Sequence, residues 1–178
     1  MKRSVSRLAL AACSAAIALA PWAAAQQSAN RITAEDHNFA VHAAQGGLAE
    51  VKLGLLAQQR AESPAVKDFA SRMVTDHTKL NADLKTIAEK DGIPLPTGLT
   101  ARDQATYDRL SKLSGADFDR AYMRSMVTDH KADIIEFKRQ ADHGFNPAMK
   151  QFASNAMPTL QEHLKMAEQA QGQVKGEK

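Results

Sequence analysis

Three histidines and one glutamate occupy unusual places in this 178-residue sequence. Each falls on the apolar face of a segment with helical periodicity, where packing alone calls for a hydrophobic side chain. They are His77, His130, His163 and Glu50. Buried imidazole and carboxylate groups must bond to one another, to water or to a metal ion, because leaving them unpaired is costly. The sequence therefore predicts a polar cluster inside an otherwise apolar core.

Two methionines extend this candidate site. Met73 and Met126 precede His77 and His130 by four positions, within the pentapeptide MVTDH that occurs twice. Residues four apart share one helix face, so thioether sulfur and imidazole nitrogen point the same way. That pairing favours copper, particularly Cu(I), whereas imidazole with carboxylate also suits zinc or iron. The predicted metal ligands are His77, His130, His163 and Glu50, assisted by Met73 and Met126.

A purely structural role accounts for the same residues without a metal. Methionine at helical spacing is usually core filler, and a buried histidine can bond to a backbone carbonyl or a carboxylate. Asp76 and Asp129, which precede the two MVTDH histidines, could orient imidazoles across the core. His37 and His42 lie off the main apolar face and are predicted to be solvated, and His143 falls in a loop.

Four long helices and one short helix are predicted to position these residues. Starts are marked by the capping pattern Thr33–Asp36 and by a cap residue before proline at Ser63 and Asn146. Stops are marked by Gly92 and Gly144. The long helices should cover about 33–60, 63–91, 116–142 and 147–172, and the short one about 101–113.

The lengths of the loops predict how these helices are arranged. Short loops join antiparallel neighbours, whereas the long connection between the second and third long helices can run the length of a bundle. The predicted fold is all-α: a ferritin-like four-helix bundle of two antiparallel hairpins, joined by a long crossover that contains the short helix. SPAVKDFAS at 63–71 returns as NPAMKQFAS at 146–154, so the hairpins look like copies. The four candidate residues lie slightly past the midpoints of their helices, which predicts that they share one level.

The first 25 residues have the pattern of a secretory signal peptide. A basic start, an apolar run and an A-x-A ending at Ala25 make up this pattern. We therefore predict a cleaved leader at 1–25, a single domain at 26–178 with its core at about 33–170, and a periplasmic location. A lipoprotein acylated at Cys13, associated with the outer membrane, is the competing interpretation. Only five residues separate Arg7 from Cys13, fewer than an ordinary apolar region.

The composition of the mature chain argues against several classes of partner. Removing Lys2, Arg3 and Arg7 from the 23 basic residues leaves 20, equal to the 20 acidic residues. The alkaline pI therefore comes from the leader and does not indicate nucleic acid as a partner. No later stretch has the roughly 20 apolar residues that a transmembrane helix needs. The single Cys also lies in the leader, so redox conditions should not affect the domain.

Catalytic motifs are not evident. No Ser or Cys nucleophile is placed beside a base, and no phosphate-binding loop or nucleotide fingerprint occurs. The sequence accordingly favours a protein that is not an enzyme.

Three stretches carry a resemblance to a known family. They are AAQGGLAEVKLGLLA at 43–57, VKDFASRMVTDHTKLNADL at 66–84 and PTLQEHLKMA at 158–167. Over about 33–170 the chain resembles the exported bacterial family called domain of unknown function 4142, whose members are often labelled outer-membrane or periplasmic proteins. The resemblance implies a ferritin-like bundle in the cell envelope, without an established activity.

The sequence departs from the ferritin-like proteins that bind two iron ions. Those proteins use Glu-x-x-His on two of their helices, but here Val74, Val127 and Leu160 stand three positions before the histidines. Too few carboxylates remain for a di-iron centre, so ferroxidase or oxygenase activity is not expected.

Three functions therefore remain open. The first is a non-catalytic envelope protein that binds a partner protein or supports stress tolerance. The second is a periplasmic protein that binds copper, zinc or iron at the interior site. The third, and weakest, is a metal-dependent redox or hydrolytic enzyme. The oligomeric state is not predicted.

Overall fold

Residues 31–176 are described by the structure, which is a computed structural model. Over this range the chain folds into α-helices: α1 (Ala34–Arg60), α2 (Pro64–Asp91), α3 (Ala101–Leu110), α4 (Gly115–His143) and α5 (Pro147–Gly176). The predicted all-α, ferritin-like bundle is confirmed. The predicted signal peptide at 1–25, including Cys13, lies outside the described residues. None of the helices between 31 and 176 is both long and apolar enough to cross a membrane.

The ends of the helices follow from local sequence signals. The backbone N–H of Asp36 donates to the Thr33 hydroxyl at 3.2 Å, and the Asp36 carboxylate accepts from the Thr33 N–H at 3.1 Å. Gly92 ends α2 with φ +68°, a left-handed conformation that glycine adopts without strain. Ser63 begins α2, but its side chain makes no capping hydrogen bond. The last helix also continues past Gly172, four residues further than predicted.

The four long helices form a ring in which each helix packs on two neighbours. α1 packs on α2 and α4 packs on α5 within the hairpins, while α2 with α5 and α1 with α4 make the contacts between them. The crossover at 92–114 carries α3 along the side of the bundle formed by α1 and α4. This is the predicted arrangement of two hairpins and one long connection.

Two buried aspartates lock the hairpins together at opposite ends. Asp36, at the start of α1, accepts hydrogen bonds from the backbone N–H groups of Phe145 and Asn146 at 3.0 and 3.2 Å, in the α4–α5 loop. Asp119, near the start of α4, accepts from the N–H of Ser63 at 2.7 Å, in the α1–α2 loop. α1 and α4 therefore run antiparallel. Asp36 and Asp119 are separated by the same number of residues as the two repeated segments. They therefore occupy equivalent positions in the two duplicated hairpins.

The apolar core is divided into two clusters. One lies toward the α1–α2 loop and contains Leu53, Phe69, Tyr122 and Val174. The other lies toward the α4–α5 loop and contains Phe39, Leu84, Phe137 and Phe152. On each long helix, one segment packs in the first cluster and another segment packs in the second. The candidate residue lies between these two segments. The polar residues therefore form a layer across the middle of the bundle.

α1 and α2 approach closely at Gly54, which gives a testable difference between two glycines. A Cβ at Gly54 would lie 2.8 Å from Val74 Cγ2 and 3.2 Å from the Ala70 carbonyl oxygen. Gly54→Ala should therefore destabilise the protein by about 1–3 kcal/mol, because the backbone of α2 has to move. Denaturant unfolding of the wild type and the variant measures this change.

Gly46→Ala is the matched control on the same helix. A Cβ at Gly46 meets nothing within 4 Å in the described part of the chain. The substitution should stabilise the protein by about 0.5–1 kcal/mol, since alanine loses less backbone entropy than glycine in a helix. Equal effects at both positions would show that close packing at Gly54 does not matter.

Candidate metal centre

The polar layer brings three imidazoles together in the interior of the bundle. His77 on α2, His130 on α4 and His163 on α5 are all buried. Their ring centroids lie 5.8 Å apart for His77 and His130, 5.2 Å for His77 and His163, and 5.4 Å for His130 and His163. One ring nitrogen from each comes within 4.8 Å of one from each of the other two. Glu50 of α1 completes the layer from the fourth side.

His77 has one ring nitrogen bonded and one free. Its Nδ1 lies 2.8 Å from Oε2 of Glu50. A carboxylate only accepts hydrogen bonds, so Nδ1 carries the hydrogen and the neutral ring presents its lone pair at Nε2. This Nε2 is buried and has no hydrogen-bond partner among residues 31–176.

His130 is oriented by its own helix. Its Nδ1 lies 3.0 Å from the carbonyl oxygen of Met126, one turn earlier on α4. A carbonyl accepts only, so Nδ1 donates and Nε2 carries the lone pair. The same Nδ1 is also 3.5 Å from Oε1 of Glu50, but its hydrogen points to the carbonyl. The Met126 carbonyl is therefore the acceptor that fixes the tautomer of His130.

His163 is oriented from the outside of the bundle. Its Nε2 donates to the carboxylate of Asp76 on α2 at 2.9 Å, so Nδ1 carries the lone pair. Asp76 also accepts from Nε of Arg72 at 2.6 Å. The predicted role for Asp76 in orienting an imidazole across the bundle is seen here. Asp129 was expected to do the same and does not: its carboxylate pairs with Arg102 at 3.7 Å.

Two of the three free ring nitrogens lie opposite each other. Nε2 of His130 and Nδ1 of His163 face each other at 3.4 Å, although neither carries a hydrogen when both rings are neutral. Two nitrogens bound tetrahedrally to one zinc ion at 2.0–2.1 Å would be about 3.3–3.4 Å apart. A metal ion or a shared proton between them removes the repulsion of their lone pairs. The geometry is therefore compatible with a metal ion or with a shared proton between two imidazoles.

The electrostatics of the layer favour neutral rings at His130 and His163 and a charged carboxylate at Glu50. Burial lowers the pKa of His130, and burial lowers that of His163 to about 4 despite its hydrogen bond to Asp76. Burial alone would raise the pKa of Glu50, but the positive charge of His77 and His130 when they are protonated, together with the hydrogen bond from His77, lowers that pKa to about 2. Neutral imidazole is the form that binds metal ions.

Glu50, Met73 and Met126, which the sequence also predicts as metal ligands, have the following contacts in the structure. Glu50 accepts the hydrogen of His77 Nδ1 and so orients that ring. Met73 and Met126 are fully buried in the apolar cluster near the α1–α2 loop, and Met126 contributes its carbonyl oxygen to His130. This pattern, in which each ligating histidine donates its other N–H to an acceptor, is usual around protein-bound metals.

Sequence reasoning found the members of the layer but missed Asp133. This residue lies on α4, one turn after His130, and an oxygen of its carboxylate lies within 4.8 Å of ligand atoms of Glu50 and His130. The internal repeat would have pointed to it, because the offset that relates Asp36 to Asp119 also relates Glu50 to Asp133. Of the remaining histidines, His42 is exposed and pairs with Glu136 at 3.3 Å.

The fold and the polar layer define a class: a ferritin-like helical bundle with a histidine-rich interior. Within that class, residues 21–170 match the family described as domain of unknown function (DUF4142), and the chain belongs to that family. The resemblance noted in the sequence is thereby confirmed. A search of curated proteins finds no match to this chain.

A solved structure has a similar fold. It is described as the crystal structure of a DUF305 fragment from Deinococcus radiodurans. The TM-score is 0.71 at 16% sequence identity, and the similarity covers 80% of this chain and 98% of the other. At this identity the likeness supports the helical fold alone.

Proposed function

We propose that this protein binds one zinc or copper ion in the middle of its bundle, through Nε2 of His77, Nε2 of His130 and Nδ1 of His163. Imidazole suits both metals. Three protein nitrogens leave a fourth position for water or another small ligand. Glu50, the Met126 carbonyl and Asp76 would hold the three rings in the required tautomers.

The observation that carries this proposal is the 3.4 Å distance between Nε2 of His130 and Nδ1 of His163. The other nitrogen of each ring donates to an acceptor, so neither of the two facing nitrogens carries a hydrogen. Two neutral histidines with only a packing role would be more stable if one of them donated a hydrogen bond to the other. Here an acceptor has fixed the tautomer of each ring, and the third free nitrogen, on His77, has no partner in the described chain.

The internal duplication adds support, because it shows what packing alone requires at these positions. The equivalent of His77 in the second hairpin is Leu160, which is buried, and the equivalent of His163 in the first hairpin is Leu80. Leucine therefore satisfies the packing of the same fold at the matching positions. His77 and His163 therefore contribute something that packing does not demand.

Metal titration tests the proposal. The mature protein, stripped with a chelator, should bind about one Zn²⁺ per chain in competition with a colorimetric chelator. Repeating the titration with Cu⁺ and Cu²⁺ identifies the preferred ion. Absence of stoichiometric binding for all three ions would mean that a shared proton, not a metal, holds the imidazoles, as in the structural interpretation.

Asp76→Ala should weaken metal binding without removing a ligand. The substitution frees Nε2 of His163 and lets the ring turn, for which about a 10–100-fold loss in affinity is expected. Asp83→Ala is the matched control, because Asp83 is an exposed acid on the same helix that pairs with Lys79. A similar affinity for both variants would argue against a role for Asp76 at the site.

The wider biological role remains a prediction from the sequence. A non-catalytic envelope protein that carries a metal ion would combine the first two of the predicted functions. The periplasmic location depends on the leader at 1–25. The expectation that the protein is not an enzyme likewise remains a prediction.

A further inference from the structure

Glu50 has a second oxygen that the three-histidine site does not use. Oε2 accepts from His77, whereas Oε1 is buried and has no hydrogen-bond partner in the range 31–176. His130 Nδ1, the nearest donor, is 3.5 Å away and is directed to the Met126 carbonyl. A buried charged oxygen without a donor is costly, so a cation or an ordered water is expected beside it.

A second carboxylate lies close to Glu50. Oxygens of Glu50 and Asp133 lie within 4.8 Å of each other, and the repeat places the two residues at equivalent positions of α1 and α4. The charged neighbours that act on Asp133 are Glu50, Asp129, Glu136 and Asp103, all of them acidic. Burial first, and then these four charges, raise the pKa of Asp133 to about 9.

Solvent can reach this pair of carboxylates. A cleft of about 420 Å³ between α1, α3 and α4 is lined by Glu50, Asp133 and Asp129. A smaller cavity of about 30 Å³ is lined by Glu50, Asp133 and His77. Its volume suffices for a water molecule. The cleft is also lined by three basic residues, Arg102, Arg109 and Arg124. Of these, Arg102 pairs with Asp129 at 3.7 Å.

We propose a second cation site, which takes a hard divalent ion of the Mg²⁺ or Mn²⁺ type between Oε1 of Glu50 and the carboxylate of Asp133, with Asp129 at its outer edge. His130 is not a ligand there, because its nearer nitrogen donates to a carbonyl. The site is therefore made of oxygens, the ligands that such ions prefer, and one or two carboxylates with several waters are typical for them. Glu50 links the two sites through its two oxygens.

Manganese is the probe, because its electron paramagnetic resonance signal reports free and bound ion separately. The chelator-stripped mature protein should bind Mn²⁺ at neutral pH, and Asp133→Asn should weaken this binding at least tenfold. Asp117→Asn is the matched control, an exposed acid on the same helix that pairs with Arg120, and should bind like the wild type. Equal binding by Asp133→Asn and Asp117→Asn overturns the proposal, and so does an absence of Mn²⁺ binding by the wild type.

His163→Leu separates this proposal from the three-histidine site. The variant should keep its affinity for Mn²⁺, because His163 contacts neither Glu50 nor Asp133 within hydrogen-bonding distance. If Mn²⁺ binding is lost in His163→Leu but kept in Asp133→Asn, the ion sits among the imidazoles and the second site does not exist.

Thermal unfolding gives an independent readout. Mn²⁺ should raise the Tm of the wild type and leave that of Asp133→Asn unchanged, because an ion that binds only the folded state stabilises it by mass action. Without Mn²⁺ the variant should be about as stable as the wild type, because asparagine closely matches the shape of the protonated carboxyl group that burial and the facing acids favour at Asp133. A Tm of Asp133→Asn that rises with Mn²⁺ as much as the wild-type Tm contradicts the assignment of Asp133.

Discussion

The double variant His77→Ala/His130→Ala is expected to lose stoichiometric zinc or copper binding, from about one ion per chain to almost none. Two of the three converging nitrogens are removed, and one imidazole alone does not retain such an ion against a competing chelator. Metal analysis after reconstitution and desalting measures the change directly.

The matched control is His37→Ala/His143→Ala, which removes two histidines that do not belong to the imidazole cluster. It should bind metal like the wild type. Because the first double variant leaves Glu50 buried without its donor from His77, a second variant protects the test against loss of folding. His163→Leu keeps that hydrogen bond and introduces the residue found at the equivalent position, Leu80. Metal content in His163→Leu equal to that of the wild type would rule out the proposed ligands.

Asp36→Ala is expected to be the most destabilising single substitution at the ends of the bundle. The Asp36 side chain is fully buried and accepts from the N–H groups of Phe145 and Asn146 and from Nε2 of Gln140 at 2.8 Å. Truncation leaves these buried donors unpaired and should cost about 3–5 kcal/mol. In a domain of this size, that corresponds to a Tm lower by about 10 °C.

Glu35→Ala is the control from the same turn of α1. Glu35 is half exposed and its contact with Arg139 is 3.5 Å long, so its loss should cost less than about 1 kcal/mol. Similar melting temperatures for the two variants would contradict the structural role given to Asp36.

The contribution of Asp36 should also depend on pH. Burial alone would raise its pKa, but hydrogen bonds from Thr33, Gln140 and Asn146 hold that pKa below its usual 3.8. In acid the unfolded chain therefore binds this proton before the folded chain does, so stability rises with pH in that window. The difference in stability between wild type and Asp36→Ala should be constant at neutral pH and shrink as the pH falls below about 4.

The fold could be predicted because its determinants are local. Caps such as Thr33, stops such as Gly92 and the two short loops fix the helices and their antiparallel pairing, and one long connection fixes the order of the hairpins. The height of the histidines in the bundle could be predicted from their positions slightly past the midpoints of their helices. Periodicity predicts which helix face each residue lies on, and the position along the helix predicts its height. Together they place four residues in one layer without any knowledge of contacts: His77, His130, His163 and Glu50.

The roles within that layer could not be predicted, because they depend on side-chain directions in three dimensions. Periodicity treats Glu50 and the histidines as equal candidates, whereas the structure makes Glu50 an acceptor for His77. Asp76 and Asp129 hold the same place in the repeated MVTDH, but one faces His163 and the other Arg102. The dual role of Asp36, as cap and as bridge to the distant loop, is likewise invisible to a local pattern.

X-ray absorption spectroscopy of the zinc- or copper-loaded protein tests the central claim most directly, because it reports the atoms bound to the metal. The account predicts a first shell of nitrogen or oxygen at about 2.0–2.1 Å with the scattering pattern of three imidazoles. Loss of one imidazole contribution in His163→Leu should follow. A shell dominated by sulfur at about 2.3 Å, or one without imidazole scattering, would contradict the three-histidine site.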